Sequence, residues 1–295
     1  DRFRSVSAGG NHSCGVREDG SVRCWGHDQD EQTTPPDGRF RSVSVGGGGR
    51  LSHSCGALED GSVRCWGYDH FGQATPPRGP FQSVSAGDGH SCGVLEDSSV
   101  RCWGYDQHGQ VTPPEGRFQS VSAGHGHSCG VLEDGSVRCW GVDSGAVRPP
   151  DGRFRSVSAG GDHSCGMLED GSVRCWGYDQ DGRATPPDGD FLSISAGGSH
   201  SCGVLEDGSV RCWGDDRHGQ ATPPDGRFLS VSAGWSHSCG VLESGSVSCW
   251  GDDWHGQATP PDGHFLSVSA GGAHSCGVLK GGSVRCWPDA WTILR

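Results

Sequence analysis

Lysine, methionine and asparagine are almost missing from this sequence: its 295 residues hold one of each, Lys280, Met167 and Asn11. Long apolar runs are missing too, so no segment approaches the ~20 apolar residues that a membrane-spanning helix needs. Positive charge is scarce, with 23 Lys and Arg against 36 Asp and Glu for a net charge of −13. That balance argues against a nucleic-acid partner, whose phosphates call for clustered cations. No window sustains a helical period, which excludes a helical bundle. Phosphate loops, dinucleotide fingerprints and paired-histidine zinc motifs do not occur, so no cofactor is expected. The single asparagine leaves one N-glycosylation candidate, Asn11 in Asn11-His12-Ser13.

What the chain has in quantity is glycine (53), cysteine (16) and repetition. Phenylalanines at 3, 40, 81, 118, 154, 191, 228 and 265 each open a unit of 36 to 41 residues, and the pattern breaks after Trp287 into a tail at 288–295. A repeat of this period signals a solenoid or propeller rather than two separate domains, and no linker or shift in composition divides the chain. Each unit reads as short strands: "FRSVSAG", "HSCGVL" and "SVRCWG", with Glu-Asp-Gly as the tight turn between the last two. The stretch ending in Thr-Pro-Pro reads as a connection, because proline cannot donate to a strand ladder.

The pattern S-V-S-A-G-x-x-H-S-C-G-V-L-E-D-G-S-V-R-C-W-G resembles the repeat of the regulator of chromosome condensation (RCC1) superfamily. The resemblance implies an all-β fold, a β-propeller, and covers the whole chain as a single domain, 1–295. Eight core motifs favour eight blades, where the family norm is seven. The nuclear members that activate a small GTPase lack the cysteine pair. In carrying it, this chain is more similar to the secreted bacterial members and the ectodomains of crinkly-type plant receptor kinases.

Folding the segment His200–Trp213 about Asp207 sets Cys202 opposite Cys212 and Val204 opposite Val210, with both pairs on one strand face. Opposed residues of an antiparallel pair lie close enough for a disulfide. The same spacing pairs Cys14–Cys24, Cys55–Cys65, Cys92–Cys102, Cys129–Cys139, Cys165–Cys175, Cys239–Cys249 and Cys276–Cys286, leaving no cysteine over. The competing reading is metal, since His200 shares that face. But zinc sites favour closer cysteine pairs and a fourth ligand, so no metal is expected. Bridges in every unit would support a thin core and place the chain in an oxidising, extracellular compartment. The repeated histidine is expected to make a hydrogen bond within or between blades. The repeated tryptophan (Trp213 and its equivalents) is expected to cover the bare backbone of Gly203 and its equivalents, with the arginine two residues earlier stacked on the indole.

A catalytic centre should break the repeat. Two matches to G-x-S-x-G, at Gly89–Gly93 and Gly126–Gly130, lie inside a repeated strand rather than at a strand–helix corner, so neither is a nucleophile elbow. Asp179-Gln180-Asp181-Gly182 resembles part of a calcium loop but lacks the remaining oxygens. The aspartate it shares with the other segments is expected to brace a turn. The positions that do vary fall in two loop sets. One precedes the repeated histidine and includes Arg50, Leu51, Asp88, His125 and Trp235, with a four-residue insertion within Gly46–Ser52. The other follows Cys-Trp-Gly and includes Tyr68, His70, Phe71, Tyr105, His108, Tyr178, Arg217, His218, Trp254 and His255. Aromatic and histidine side chains displayed this way suit a binding face.

The expected function is a non-enzymatic extracellular module that binds or scaffolds a protein or glycan partner, or copies of itself. It is expected to be part of a larger chain or assembly, since the pattern is cut at both ends. A structural subunit of an extracellular fibre or wall layer, and a secreted enzyme inhibitor, are the alternatives. The Thr-Pro-Pro segments also resemble sites that secreted algal and plant proteins hydroxylate and glycosylate.

Overall fold

A computed structural model describes residues 1–48, 51–143 and 145–288. It contains eight antiparallel sheets of three strands, one per repeat. In the sixth these are Phe191–Ala196, His200–Leu205 and Val210–Gly214, running from the inside outwards. The sheets form the blades of a propeller. Inner strands end, and outer strands end, at one rim, here called upper. The hairpin turns between middle and outer strands form the lower rim.

Three rings of hydrogen bonds join every blade to the next, including blade 8 to blade 1. In the first, the last N–H of each inner strand donates to a serine Oγ of the preceding blade over 3.0–3.1 Å. In the second, each repeated histidine Nε2 meets the serine after the next blade's histidine at 2.6–2.8 Å, from His12–Ser54 round to His274–Ser13. In the third, an upper-rim N–H of each blade donates to a glycine carbonyl of the next over 2.8–3.2 Å, from Gly10 to Gly47 round to Gly272 to Gly9. Burial would leave these groups costly if unpaired, and the ring supplies their partners. Desolvation holds the eight histidines neutral, with pKa values of about 3 or about 4.

All eight expected disulfides are present, with Cα–Cα separations of 4.0–4.1 Å. Cys202 and Cys212 are directly opposed in the ladder, as are Val204 and Val210. The bridges do more than staple the hairpin. Cys202 and Cys212 pack against Phe228 and Trp250 of the following blade, and six other junctions repeat this. The sulfur thus replaces the aliphatic bulk that the sequence is short of.

Two expectations need correcting. The residue nearest the bare glycine is phenylalanine, since a Cβ on Gly203 would stand 2.5 Å from the Phe191 ring, with the tryptophan farther off, as where a Cβ on Gly166 would stand 3.2 Å from Trp176. A bulge at the start of the inner strand turns Phe191 onto Gly203, and Trp213 then meets Phe191 edge-on at 5.9 Å. The arginine before the tryptophan does not stack on it. Arg211 donates instead to the Asp188 carbonyl over 2.6 Å, and Arg64, Arg101, Arg138, Arg174 and Arg285 make the equivalent bond. The guanidinium is long enough to reach the connecting loop, whose carbonyl is a stronger partner than an indole already packed on Phe191.

Candidate functional site

The frame fixes both variable loop sets at the upper rim. The third ring holds the inner loops. The outer loops are tied to them by N–H···O bonds of 2.9–3.0 Å in seven blades, such as Tyr68 to Ser52, Tyr105 to Gly89 and Tyr178 to Asp162. Six outer loops are also pinned by an indole of the next blade. Trp66, Trp103, Trp140, Trp176, Trp213 and Trp250 each donate an indole N–H to a carbonyl of the preceding loop over 2.9–3.1 Å. Inside the loop the repeated aspartate braces the turn. Asp216 accepts from the Ala221 N–H at 2.8 Å and the Thr222 hydroxyl at 2.7 Å, and Asp179 does the same with Ala184 and Thr185. The calcium-like segment therefore spends Asp179 on its own backbone, while Asp181 pairs with Arg183 at 3.2 Å. No group of three or more His, Cys, Asp or Glu that could hold a metal occurs among the described residues.

With the loop ends held, their tips come together in two places. The first is the mouth of a central channel of about 490 Å³, walled mostly by glycine and alanine. At the repeat position that is Gly10, Gly47, Gly161, Gly198 and Gly272 in five blades, the other three carry Asp88, His125 and Trp235. His125 Nε2 lies 3.0 Å from Asp88 Oδ2, and this bond raises the pKa of His125. Asp88 Oδ1 accepts from the Gly48 N–H in the blade 2 insertion. Trp235, from blade 7, reaches past blades 8 and 1 to the same insertion, where any side chain at Gly48 would run into its indole. That close approach explains a glycine at 48 inside a segment otherwise free to vary.

The second place is a notch of about 210 Å³ beside the mouth, lined by Leu51, Asp88, Tyr105, His108, His125 and Asp162 among others. From it a chain of rings runs outwards over blades 3 and 2. His108 meets Tyr105 at 6.5 Å, Tyr105 meets Phe71 at 4.9 Å, and Phe71 meets His70 at 5.0 Å and Tyr68 at 6.4 Å. Phe71 is 40% exposed although aromatic. Seven of the predicted residues, Leu51, Tyr68, His70, Phe71, Tyr105, His108 and His125, therefore form one continuous surface, and Trp235 stands at its inner edge.

The remaining candidates lie apart. Tyr178, on blade 5, is covered by the Arg183 guanidinium 5.3 Å from its ring centroid. Arg217 is held by Asp215 at 2.8 and 2.9 Å, and these side-chain hydrogen bonds lower the pKa of that carboxylate. His218 and His255 donate backbone N–H groups to Gln220 and Gln257. Trp254 is 84% exposed on blade 7. Arg50, with residues 289–295 of the tail, lies outside the described residues. Asn11 sits in the blade 1 upper loop and accepts from the His27 N–H. Asp162 and Arg183 are site residues that sequence reasoning missed. Both were legible as departures: Arg183 stands where five other repeats carry Gln32, Gln73, Gln110, Gln220 and Gln257, and Asp162 where the others carry small or amide side chains.

The serines of the two G-x-S-x-G matches, Ser91 and Ser128, are fully buried and bonded to His53 and His90 of the preceding blades. These are two of the eight ring contacts, so the serine–histidine pairs belong to the frame.

The pattern of the regulator of chromosome condensation (RCC1) repeat matches residues 3–32, 41–73, 81–110, 118–144, 154–183, 191–220 and 228–257. The chain belongs to the RCC1 repeat family. Among solved structures, this RCC1-repeat propeller is similar to the CRINKLY WD40 ectodomain of the receptor kinase ACR4 from Arabidopsis thaliana. Identity is 30%, coverage is 84% of this chain and 97% of that one, and the TM-score is 0.67. It is also similar to the ectodomain of the receptor kinase CR4 from Physcomitrella patens, at 28% identity over 84% and 73% of the two chains with a TM-score of 0.68. Prp20p of Saccharomyces cerevisiae shares the fold at 17% identity, with 92% and 91% coverage and a TM-score of 0.63. No curated protein sequence matches the chain. The eight intra-repeat disulfides and the likeness to plant receptor ectodomains both point to an extracellular location.

Proposed function

We propose that this RCC1-repeat propeller is an extracellular, non-enzymatic module that binds a protein partner through its upper rim, with the surface from Tyr68 to Trp235 at the centre. One observation carries the reading. Side chains that depart from the repeat meet one another across blades 2 to 4 on one rim, and the exposed Phe71 and Trp235 are the aromatic anchors that interface hot spots favour. The likeness to receptor ectodomains and the oxidised cysteines support the compartment. The alternative of a fibre has less support, because the ring of junctions closes from blade 8 to blade 1 and leaves none free to propagate; stacking of rims would be its remaining route.

The test presents the full chain as a multivalent probe to a panel of extracellular proteins, beside two double variants. Phe71→Ala with Trp235→Ala alters the upper rim, and Glu59→Gln with Glu133→Gln the lower. The expected result is a partner that loses at least about tenfold in affinity, or ~1.4 kcal/mol, with the upper pair and little with the lower. Equal loss from both pairs, or loss from the lower pair alone, overturns the reading. Sedimentation to a polymer rather than a monomer would favour the fibre.

A further inference from the structure

The notch beside the channel mouth combines an aromatic wall with carboxylates, and the molecule itself shows what such a wall accepts. Tyr68, Tyr105 and Tyr178 occupy the same position in three repeats. On blade 5 the Tyr178 ring carries a guanidinium, that of Arg183, 5.3 Å from its centroid, with Asp181 3.2 Å from the same group. On blades 2 and 3 the residue in Arg183's place is a neutral glutamine, Gln73 or Gln110. Among the described residues no cation lies over Tyr68 or Tyr105, yet carboxylates are at hand. Asp88 and Asp162 both line the notch with Tyr105. A negative wall beside an aromatic face attracts a cation twice, through charge and through the ring quadrupole.

We infer that the notch of Tyr105, Asp88 and Asp162 receives an arginine or lysine side chain of the partner, with the Phe71–Tyr105 rings flanking the segment that carries it. This deepens the protein-binding role proposed above and rests on it. A sugar is the less suitable occupant, because successive rings are tilted by 43–81° to one another and form no flat shelf. The net charge of −13 adds long-range attraction for a basic partner. His125 sits between the two carboxylates' fields, with His127 buried behind it and His108 on the outer wall. When His125 is protonated it offsets Asp88. Capture of a cation should therefore strengthen as pH rises through the raised pKa of His125.

The test titrates the full chain with three capped tripeptides, Gly-Arg-Gly, Gly-norleucine-Gly and Gly-Glu-Gly, and with methyl glucoside, following the ring resonances of Tyr68, Phe71, Tyr105 and His125. The arginine peptide should shift them saturably, with roughly millimolar affinity for so small a contact. Asp162→Asn and Phe71→Ala, whose side chains are exposed and outside the frame's bonds, should each weaken binding by about three- to tenfold, and Trp254→Ala should change nothing. Norleucine peptide or glucoside acting as well as the arginine peptide overturns the cation reading while leaving the upper-rim role standing. No shift with any probe, or binding of the arginine peptide only after Arg50→Ala, overturns it as well, the latter because the chain would supply its own cation. The upper-rim role is judged separately by the two double variants above.

Discussion

At the lower rim of blades 1 and 6, Asp19 and Asp207 each accept from the N–H and the hydroxyl of the serine two residues on, at 2.6–2.9 Å. At the upper rim of the same blades the aspartate brace repeats, with Asp28 and Asp216 each accepting a backbone N–H at 2.8 Å, but the displayed side chains differ: one outer loop carries His27, the other the Arg217–Asp215 pair. The difference follows from how each rim is held. A lower turn joins two paired strands directly, so its register and left-handed residue are dictated by the ladder. An upper loop is tied at its ends, by the carbonyl ring, the outer-to-inner N–H bonds and the neighbour's indole. Its tip is free of the ladder. Sameness below and variety above are two results of one frame.

The strongest way to break the contrast is to dissolve the frame. Native protein should show no reactive thiol, and reduced, denatured protein sixteen. Losing one bridge through Cys202→Ala with Cys212→Ala should cost about 2–3 kcal/mol in urea unfolding, and full reduction should abolish the cooperative transition together with upper-rim binding. Survival of either after full reduction would mean that the hydrogen-bond rings suffice alone.

Acid attacks the frame and the upper rim with opposite signs. The eight ring histidines have folded pKa values of about 3 to 4, well below 6.5. The unfolded chain therefore binds more protons below 6.5. Stability from this source is full above that pH and falls as pH drops towards 4, by up to about 1.4 kcal/mol per pH unit for each imidazole. His125 is raised instead, so its contribution is full at low pH and lost as pH rises through its folded value. Urea midpoints at pH 7, 5.5 and 4.5 should fall steeply. A flat profile would contradict neutral, buried imidazoles.

Two tryptophans four residues apart give a smaller and cleaner comparison. Trp250 is 7% exposed and packs on the disulfide of blade 6, while Trp254 is 84% exposed. Trp250→Ala should cost about 3–5 kcal/mol. Trp254→Ala should stay within ~0.5 kcal/mol, as surface changes do. Similar costs for both would erase the distinction between frame and display.

Much of the frame was legible because it is local. Cysteines ten apart around a turn can meet only across that turn, and the period of the phenylalanines counts the blades. The site was legible as a set of departures but not as a surface. Phe71 meets Tyr105, Asp88 meets His125, and Trp235 meets Gly48 only because separate repeats are brought side by side and the ring is closed. The covering of Gly203 escaped sequence reasoning for a related reason. The bulge that swings Phe191 over it is a backbone event, and strict alternation along a strand does not foresee it.

The mildest test exploits the one lower turn whose left-handed residue is not glycine. Position 98 is serine, at φ 68°, where the seven other turns have glycine at φ 83–88°, in Gly20, Gly61, Gly135, Gly171, Gly208, Gly245 and Gly282. A side chain in that left-handed region is strained, and glycine relieves it. The serine is not idle, since its hydroxyl donates to Glu133 of the next blade at 3.0 Å, but that contact is exposed and worth little. Ser98→Gly should therefore stabilise blade 3 by about 0.5–1 kcal/mol in urea unfolding, with upper-rim binding unchanged. A loss of stability would show that the Ser98–Glu133 contact outweighs the strain, and that even the lower rim carries a position set by its neighbour rather than by its own turn.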